Sequence, residues 1–386
     1  MAEIFLTIFF ITVLLFFLGS GIWVALSMIG VSAIGMMLFT SRPVGDAMAT
    51  TIWGTSSSWT LTALPLFVWM GEILFRTKLS ENLFKGLSPW MQRLPGGLIH
   101  VNVVGCALFA AISGSSAATV ATVGKMSIPE LRKRNYPEKI LLGSLAGSGT
   151  LGLLIPPSII LIIYGVAVQE SIAKLFIAGI IPGIMIALIF MSYVIIWSLI
   201  NKKDMPKILE DYSLLEKLKR SKQLLPVIIL IFGVIGSIYT GIATATEAAS
   251  LGVVGALILS FFQKSLNLET FKSSLLGATK TSCMIAFILA GSTFLSLAMG
   301  FTGLPRNLAL WIQNMDLSPY ILILVLMIFY IILGMFLDGI SAVVLTMAII
   351  EPMIRQAGFD MIWFGIYLVV VVEMAQITPP VGFNLF

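Results

Sequence analysis

Charged residues are scarce in this sequence of 386 residues: only 11% are Asp, Glu, Lys or Arg, whereas soluble globular domains contain about a quarter. Hydrophobic residues make up 58% of the chain. So few charges cannot provide the polar surface that a water-soluble fold needs. The composition therefore predicts an integral membrane protein and excludes a soluble enzyme or a soluble binding domain.

Histidine and cysteine are almost absent. His100 is the single histidine, and Cys106 and Cys283 are the two cysteines, both inside apolar segments. A His-rich metal site needs several imidazoles, and no nucleophile motif accompanies His100, so neither a metal centre nor a catalytic triad is indicated. The cysteines are interpreted as packing residues rather than a disulfide. We expect no cofactor and no enzymatic activity.

Long apolar runs dominate the rest of the chain. Several are long enough, or nearly so, to cross a hydrocarbon core of about 30 Å. They include residues 4–18, 180–200, 224–239 and 320–337. The first run lacks a basic flank and leads directly into another apolar run, which favours mature structure over a cleaved signal peptide.

Lysine and arginine are concentrated between these runs: 19 of the 23 lie in residues 76–93, 125–139, 201–222 and 264–280. The positive-inside rule places such stretches in the cytoplasm, so the net charge of +5 is no evidence for nucleic-acid binding. The segments between them must cross the membrane an even number of times or turn back within it. Residues 93–125 have room for one crossing only, which predicts a re-entrant hairpin there.

Two stretches of small and polar residues suit the tips of such hairpins, because they are poor filler for a spanning helix. They are residues 111–119 and 336–342. The first predicts a hairpin over residues 97–128. The second predicts a hairpin over residues 320–350 that enters from the opposite face, so the two tips are expected to meet.

The two halves of the chain share a plan. Each has a Gly-x-Ser-Ala tip, then a proline (Pro129, Pro352), and then an apolar helix broken at a Pro-Pro pair, Pro156-Pro157 or Pro379-Pro380. The broken helices are predicted over residues 140–165 and 361–386. Two halves with the same order of elements but opposite orientation in the membrane form an inverted-topology repeat. In such repeats the broken helices meet at a site near the midplane of the bilayer. A sixth unit of the second repeat is expected to follow residue 386.

The breaks and tips are candidate binding sites. Proline in mid-helix frees carbonyl oxygens, and sodium prefers carbonyl, hydroxyl and amide oxygens as ligands. Close helix packing is the alternative interpretation of either motif alone, whereas their paired occurrence favours binding. The predicted sodium ligands are Ser113, Ser116, Gly152, Ile155 and Pro156 in the first half, and Gly339, Ser341, Gln376, Thr378 and Pro379 in the second. The predicted substrate contacts are Ser115, Pro157, Ser158, Asp338, Pro380 and Asn384.

Asp338, Glu373 and Glu247 are acidic residues within or near apolar segments. Asp338 and Glu373 are interpreted either as ion ligands or proton carriers, or as capped or partly hydrated structural residues. Glu247 follows a short loop and is expected to occupy the first turn of a helix, where a carboxylate is favoured. Residues 265–280 mix leucines with lysines, which predicts a basic amphipathic helix on the inner surface.

Three motifs resemble the large M subunit of the tripartite ATP-independent periplasmic (TRAP) transporters, and the resemblance extends over essentially the whole chain. They are residues 113–122, 154–158 and 376–384. The resemblance implies a sodium-driven elevator that imports an organic acid, of the sialic acid or C4-dicarboxylate type, across the bacterial inner membrane. It also implies a small four-helix Q subunit and a periplasmic substrate-binding P protein as partners, besides membrane lipid.

The fold class predicted is an all-α integral membrane protein, an inverted-repeat elevator with two re-entrant hairpins and two broken helices. Its predicted parts are scaffold helices (residues 1–75), one transport half (94–165), further scaffold helices with an amphipathic arm (172–280) and a second transport half (281–386). A single-component sodium/dicarboxylate symporter of similar hairpin architecture, which needs neither Q nor P, is the alternative function.

Overall fold

The computed structural model describes residues 2–77, 79–206, 212–222, 224–303, 307, 318–379 and 382. Every regular element within these ranges is a helix. Four of the described helices are long and apolar enough to cross a bilayer, or up to seven spans if each bent pair of helices counts as one. An all-helical chain of this kind satisfies its backbone hydrogen bonds within each segment, as hydrocarbon requires.

The first half of the chain forms eleven α-helices in the described ranges. They are α1 (Ala2–Gly19), α2 (Val24–Phe39), α3 (Val44–Ser56), α4 (Ala63–Phe75), α5 (Leu79–Met91), α6 (His100–Ser113), α7 (Ser116–Lys133), α8 (Glu138–Gly149), α9 (Leu151–Leu154), α10 (Ile159–Ala167) and α11 (Ile172–Ile200). Short 3-10 turns occupy Trp59–Thr62, Gly97–Ile99 and Lys202–Asp204.

The second half continues with seven described helices. They are α12 (Leu214–Ser221), α13 (Leu225–Tyr239), α14 (Ala245–Phe262), α15 (Leu268–Thr302), α16 (Pro319–Gly334), α17 (Gly339–Gln356) and α18 (Met361–Gln376). Because α15 runs without a break from Leu268, the stretch predicted as a separate amphipathic helix is the first part of a helix of 35 residues.

Polar side chains set where several helices begin. The hydroxyl of Thr244 accepts a hydrogen bond from the Glu247 amide, and the Glu247 carboxylate accepts one from the Thr244 amide, so the two form a capping box at the start of α14. The prediction that Glu247 belongs to a first helical turn is therefore confirmed. Ser115 and Asp338 cap α7 and α17 in a similar way.

Two pairs of helices fold back on themselves. Helices α6 and α7 are joined by Gly114 and Ser115, with Gly114 in the left-handed region at φ +58°, where glycine avoids steric cost. Helices α16 and α17 are joined by residues 335–338, and a 2.6 Å hydrogen bond between the Tyr330 and Thr346 hydroxyls links the two arms. Both second arms contain the proline noted in the sequence, Pro129 or Pro352.

The helix between the hairpins is broken where the sequence has its first Pro-Pro pair. Helix α9 ends at Leu154, helix α10 begins at Ile159, and the axis bends by 40° across the break. Neither proline has an amide to donate, so the helical ladder cannot pass through them. The hydroxyl of Ser158 accepts a hydrogen bond from the Leu161 amide and restarts the helix.

The packing of the remaining helices is reciprocal. The second helix of the first half, α2, packs against α15, while its counterpart in the second half, α14, packs against α4. Such an exchange of partners is the pattern expected of two repeats related by a two-fold axis. We call α1, α2, α4 and α13–α15 the frame, and α6–α10 with α16–α18 the hairpin unit.

Polar bonds tie the two halves of the hairpin unit together. The Tyr164 hydroxyl, in a fully buried side chain, donates to the Met361 carbonyl over 2.6 Å. Arg355 donates to the Val168 carbonyl over 3.0 Å, and its guanidinium lies 3.7 Å from Glu170. The two halves therefore form one packed body, with apolar side chains such as Ile181 and Leu188 of the neighbouring α11 facing outward.

The Tyr164 bond gives a test of this packing. Replacing Tyr164 with Phe removes one buried hydroxyl–carbonyl bond and should destabilise the folded protein by about 1 kcal/mol. The midpoint of thermal unfolding in detergent measures the effect. Tyr239→Phe removes the same atom from an exposed ring and serves as the control. Equal midpoints for the two variants would contradict a stabilising role for the bond.

Candidate functional site

The tip of the first hairpin is seated on the break in the neighbouring helix. The Ile159 amide, at the start of α10, donates a hydrogen bond of 3.3 Å to the Gly114 carbonyl at the tip. A Cβ atom on Gly114 would lie 2.9 Å from the Pro157 carbonyl oxygen. On the other side of the break, a Cβ atom on Gly152 would lie 2.6 Å from Ser116 Cα. Glycine at both positions allows this close approach.

Three oxygen atoms gather at the first tip. The Ser113 and Thr119 hydroxyls are 2.8 Å apart, and the Ser115 carbonyl lies 2.8 Å from Thr119 Oγ1 and 3.3 Å from Ser113 Oγ. The hairpin turn brings Ser113 back over the first turn of α7, so residues six apart in sequence touch. The group is a compact triangle of oxygens.

A buried hydrogen bond links this tip to the second half of the chain. The Ser116 hydroxyl donates to the Glu373 carboxylate on α18, and the two residues are only 1% and 4% exposed. A carboxylate at this depth needs hydrogen-bond donors to offset the loss of water. Ser116 supplies one, so the bond is a further polar connection between the halves.

The second tip is arranged around Asp338. Its carboxylate accepts a hydrogen bond of 3.1 Å from the Ser341 amide and caps α17. Next to it, Gly339 lies directly against the side-chain amide of Gln376, with no room for a Cβ atom. The tip therefore brings together a carboxylate, the N-terminus of a helix and an amide side chain.

Both tips border one cavity of about 340 Å³. Helices α4 and α15 of the frame form its opposite wall, with Gly71, Glu72 and Phe75 from α4 and Thr281 and Met284 from α15. Among the described residues that line this cavity there is no Lys, Arg or His. Glu72 is paired with Arg76, which also donates to the Ser273 hydroxyl over 3.1 Å.

The cavity wall includes some of the residues predicted from sequence and not others. Those that line it are Ser113, Ser115, Ser116, Asp338, Gly339 and Gln376. The described residues predicted as ligands but not part of its lining are Gly152, Ile155, Pro156, Pro157, Ser158, Ser341, Thr378 and Pro379. Pro380 and Asn384 lie outside the described residues.

The predicted residues away from the cavity have identifiable structural contacts. Ile155 and Pro156 face α11, at Gly183 and Gly179 respectively. Ser158 caps α10 and donates to the Leu153 carbonyl. The Thr378 hydroxyl donates to the Met374 carbonyl one turn earlier over 2.8 Å.

Two polar residues of the site were not predicted. Thr119 lies within the tip motif, and its place in the oxygen triangle depends on the sharpness of the turn at Gly114. Glu72 is an acid inside an otherwise apolar helix, a signal that marks functional residues in membrane segments and that could have identified it.

An apolar helical chain of this kind defines a polytopic membrane protein, and its two hairpin tips border a partly open cavity. Residues 9–386 match the family model described as the tripartite ATP-independent periplasmic transporter, DctM component. The chain belongs to this family, the large permease subunits of TRAP transporters. The resemblance seen in the sequence motifs is therefore confirmed.

Relatives of known name agree with this assignment. The chain is 35% identical to the C4-dicarboxylate TRAP transporter large permease protein DctM of Pseudomonas aeruginosa over 356 residues, which cover 92% of this chain and 82% of that protein. It is 31% identical to the sialic acid TRAP transporter large permease protein SiaM of Vibrio cholerae over 375 residues, 95% of this chain and 85% of that protein.

A third relative is longer. The isethionate TRAP transporter permease protein DctMQ of Oleidesulfovibrio alaskensis is 31% identical over 374 residues, 96% of this chain but 58% of that protein. All three are named as transporter permeases, so the protein is a permease and not an enzyme.

The contact between the first tip and the helix break can be tested at a glycine. Gly152→Ala would place a methyl group against the Ser115 and Ser116 backbone, which cannot yield as a flexible side chain can. We expect a destabilisation of roughly 1–3 kcal/mol, as for other overpacked sites, measured by thermal unfolding in detergent.

Gly143→Ala is the matched control, since it lies in the preceding helix α8 with open space around its Cα atom. It should leave stability unchanged or raise it by up to about 1 kcal/mol. Equal behaviour of the two alanine variants would show that tip and break are not in tight contact.

Proposed function

We propose that this subunit imports an organic acid anion together with sodium ions across the bacterial inner membrane, by an elevator motion of the hairpin unit against the frame. The observation that carries the proposal is the cavity between the two tips, whose largely apolar lining includes hydroxyls, an amide and two carboxylates but no basic residue among those described. Each part of the proposal has its own support.

Sodium is supported by the oxygen triangle at the first tip. Sodium is a hard cation bound by oxygen atoms, and ligands around one ion lie a few ångströms from each other. The Ser113 hydroxyl, the Ser115 carbonyl and the Thr119 hydroxyl already have such separations, at 2.8–3.3 Å. At the second tip, Asp338 and Gln376 offer a carboxylate and an amide oxygen.

Coupling between sodium and an anion follows from the charge of the cavity. Asp338 and Glu72 line it, and Glu72 is paired with Arg76, whereas Asp338 accepts a bond from the Ser341 amide. An incoming carboxylate would therefore meet two acidic side chains and no basic residue among the described lining. Like charges in a site of low dielectric repel strongly. Bound sodium would offset the negative charge of the acidic side chains. The anion would then bind only to a cavity that already contains sodium.

The elevator motion is supported by the cross-links within the hairpin unit. The Ser116–Glu373, Tyr164–Met361 and Arg355–Val168 bonds would keep the two halves together as they move. On the frame side, Gly71 brings α4 close to the tip, where a Cβ atom would lie 3.1 Å from the Ile112 carbonyl oxygen. Because Gly71 has no side chain, this part of α4 is smooth and would allow the hairpin unit to slide along it.

A second cavity offers space for such a movement. It has a volume of about 400 Å³ and lies beside the C-terminal end of α10, between residues 165–170 and the residues Thr55 of α3 and Thr293 of α15. The first cavity is lined by Phe75 and Thr281, which adjoin the basic stretches 76–93 and 264–280 that the positive-inside rule assigns to the cytoplasm. We therefore assign the described conformation to the inward-facing state.

The partners proposed are a periplasmic substrate-binding protein and a small Q membrane subunit. Membership of the TRAP family supports both. One relative is named DctMQ, and this chain covers 58% of it. Its name joins the M and Q designations, so a Q segment on the same polypeptide is the alternative to a separate Q subunit. The relatives bear the names of different substrates, so the proposal extends to an organic acid of sialic acid or C4-dicarboxylate type.

Reconstitution in liposomes tests the proposed function. The permease with its small subunit is assayed for uptake of radiolabelled sialic acid and succinate, with and without an inward sodium gradient and the receptor protein. Uptake that requires both sodium and receptor is expected. Sodium-driven uptake without receptor would contradict the tripartite assignment, and uptake independent of sodium would contradict the coupling.

The oxygen triangle predicts a specific effect of one hydroxyl. Thr119→Val keeps the shape of the side chain but removes the oxygen, and should raise the sodium concentration for half-maximal uptake roughly tenfold, the usual scale for one bond to a charged group. Thr279→Val removes a hydroxyl bonded to its own helix in the same manner, but at an exposed position on α15. A similar sodium dependence in the two variants would remove Thr119 from the sodium site.

A further inference from the structure

Helix α12 carries apolar side chains on the outside of the described structure. Leu214, Leu215 and Leu218 are 71%, 78% and 59% exposed. Their spacing places them on one side of the helix, while Glu216 and Arg220 lie on the other. In a soluble protein such a face would pack inside. Its exposure here indicates that the leucines contact an apolar environment outside the described structure.

One flank of α12, which carries Lys217 and Ser221, is fixed to the protein. The Trp90 indole on α5 donates to the Ser221 hydroxyl over 2.7 Å, and the Lys217 ammonium lies 5.6 Å from the centre of the Trp90 ring. Lys217 is only 5% exposed, and a capping box of Ser213 and Glu216 closes the start of the helix. The flank that carries Lys217 and Ser221 is therefore docked, while the leucine face and the opposite side with Glu216 and Arg220 stay exposed.

The surroundings of α12 identify the phase that its leucines contact. The next helix, α13, exposes Leu225, Ile229 and Phe232 at positions i, i+4 and i+7, the stripe of a span that faces hydrocarbon. The axis turns by 59° between α12 and α13, so α12 does not continue the span. Trp90 beside it is of the residue type enriched at the membrane–water boundary.

The charge of α12 indicates the lipid. Within residues 212–222 there are four cationic side chains and one acidic side chain, Glu216. Lys219 and Lys222 are exposed on the borders of the leucine face. Lysines in that position extend along the apolar surface and place their ammonium groups at the level of lipid phosphates.

We propose that α12 lies in the cytoplasmic interface of the bilayer and binds anionic phospholipid, with its leucines among the acyl chains and Lys219 and Lys222 on the headgroup phosphates. The site is separate from the cavity and does not depend on which solute the cavity takes. It would anchor the connection between the two halves of the frame to the membrane surface.

Lipid quenching of a fluorescent label tests the position of the helix. Leu218→Cys is labelled with bimane in a Cys283→Ser background, since Cys106 is buried, and the protein is placed in vesicles of phosphatidylcholine and phosphatidylglycerol. Lipids brominated on the acyl chains should quench this label. A label at Arg220→Cys, on the polar side, should be quenched by aqueous iodide instead. Iodide quenching at both positions would overturn the proposal.

Headgroup preference is tested with the same label. Brominated phosphatidylglycerol should quench it more strongly than brominated phosphatidylcholine, with a relative affinity that falls about fivefold for each lysine removed in Lys219→Gln and Lys222→Gln. Lys264→Gln removes one exposed charge from the same side of the membrane at the end of α14 and should have no effect.

Two outcomes would contradict the lipid site. Equal quenching by the two brominated lipids in the unsubstituted protein would show that no anionic headgroup is bound. Loss of quenching when the small subunit is added would show that the leucine face is a subunit contact. Both readouts are independent of transport, so they remain informative if the proposed solute or coupling ion is wrong.

Discussion

The fold depends on one constraint: within hydrocarbon, each backbone amide and carbonyl needs a partner inside the protein. A helix broken at Pro156-Pro157 violates this constraint unless other groups surround the break. Here the Gly114 carbonyl of the first hairpin tip accepts a bond from the Ile159 amide, and within the break the Ser158 hydroxyl donates to the Leu153 carbonyl and accepts from the Leu161 amide. The irregular backbone at the Pro156-Pro157 break is therefore stable because the first hairpin tip, itself irregular, packs over it.

The contact between the first hairpin tip and the helix break also explains the positions of two glycines and of a buried polar bond. Contact between two backbones leaves no volume for a side chain, so Gly114 and Gly152 are where tip and break meet. The resulting cleft then brings Ser116 within reach of Glu373 from the other half of the chain. Polar residues that are costly in isolation become favourable once they are paired across two elements.

Much of this arrangement was predictable from sequence. The small polar tips, the Pro-Pro break and the cap at Glu247 depend on local chemistry, and the described helices begin and end close to those signals. Two residues that join the site through tertiary contact were harder to predict: Glu72 lines the cavity because α4 packs beside the tip, and the buried Thr119 joins the oxygen triangle because the hairpin is tight. Conversely, Pro156 and Ser158 had suitable chemistry but face α11 or their own helix.

The two halves of the hairpin unit are tied by bonds of unequal exposure. Ser116 and Glu373 are at most 4% exposed, whereas the Arg355 side chain near the second cavity is 47% exposed. Salt screens the attraction between exposed charges, whereas buried bonds are screened much less. Rising ionic strength is therefore expected to weaken the Arg355–Glu170 attraction first, while the buried Ser116–Glu373 and Tyr164–Met361 bonds hold the two halves together.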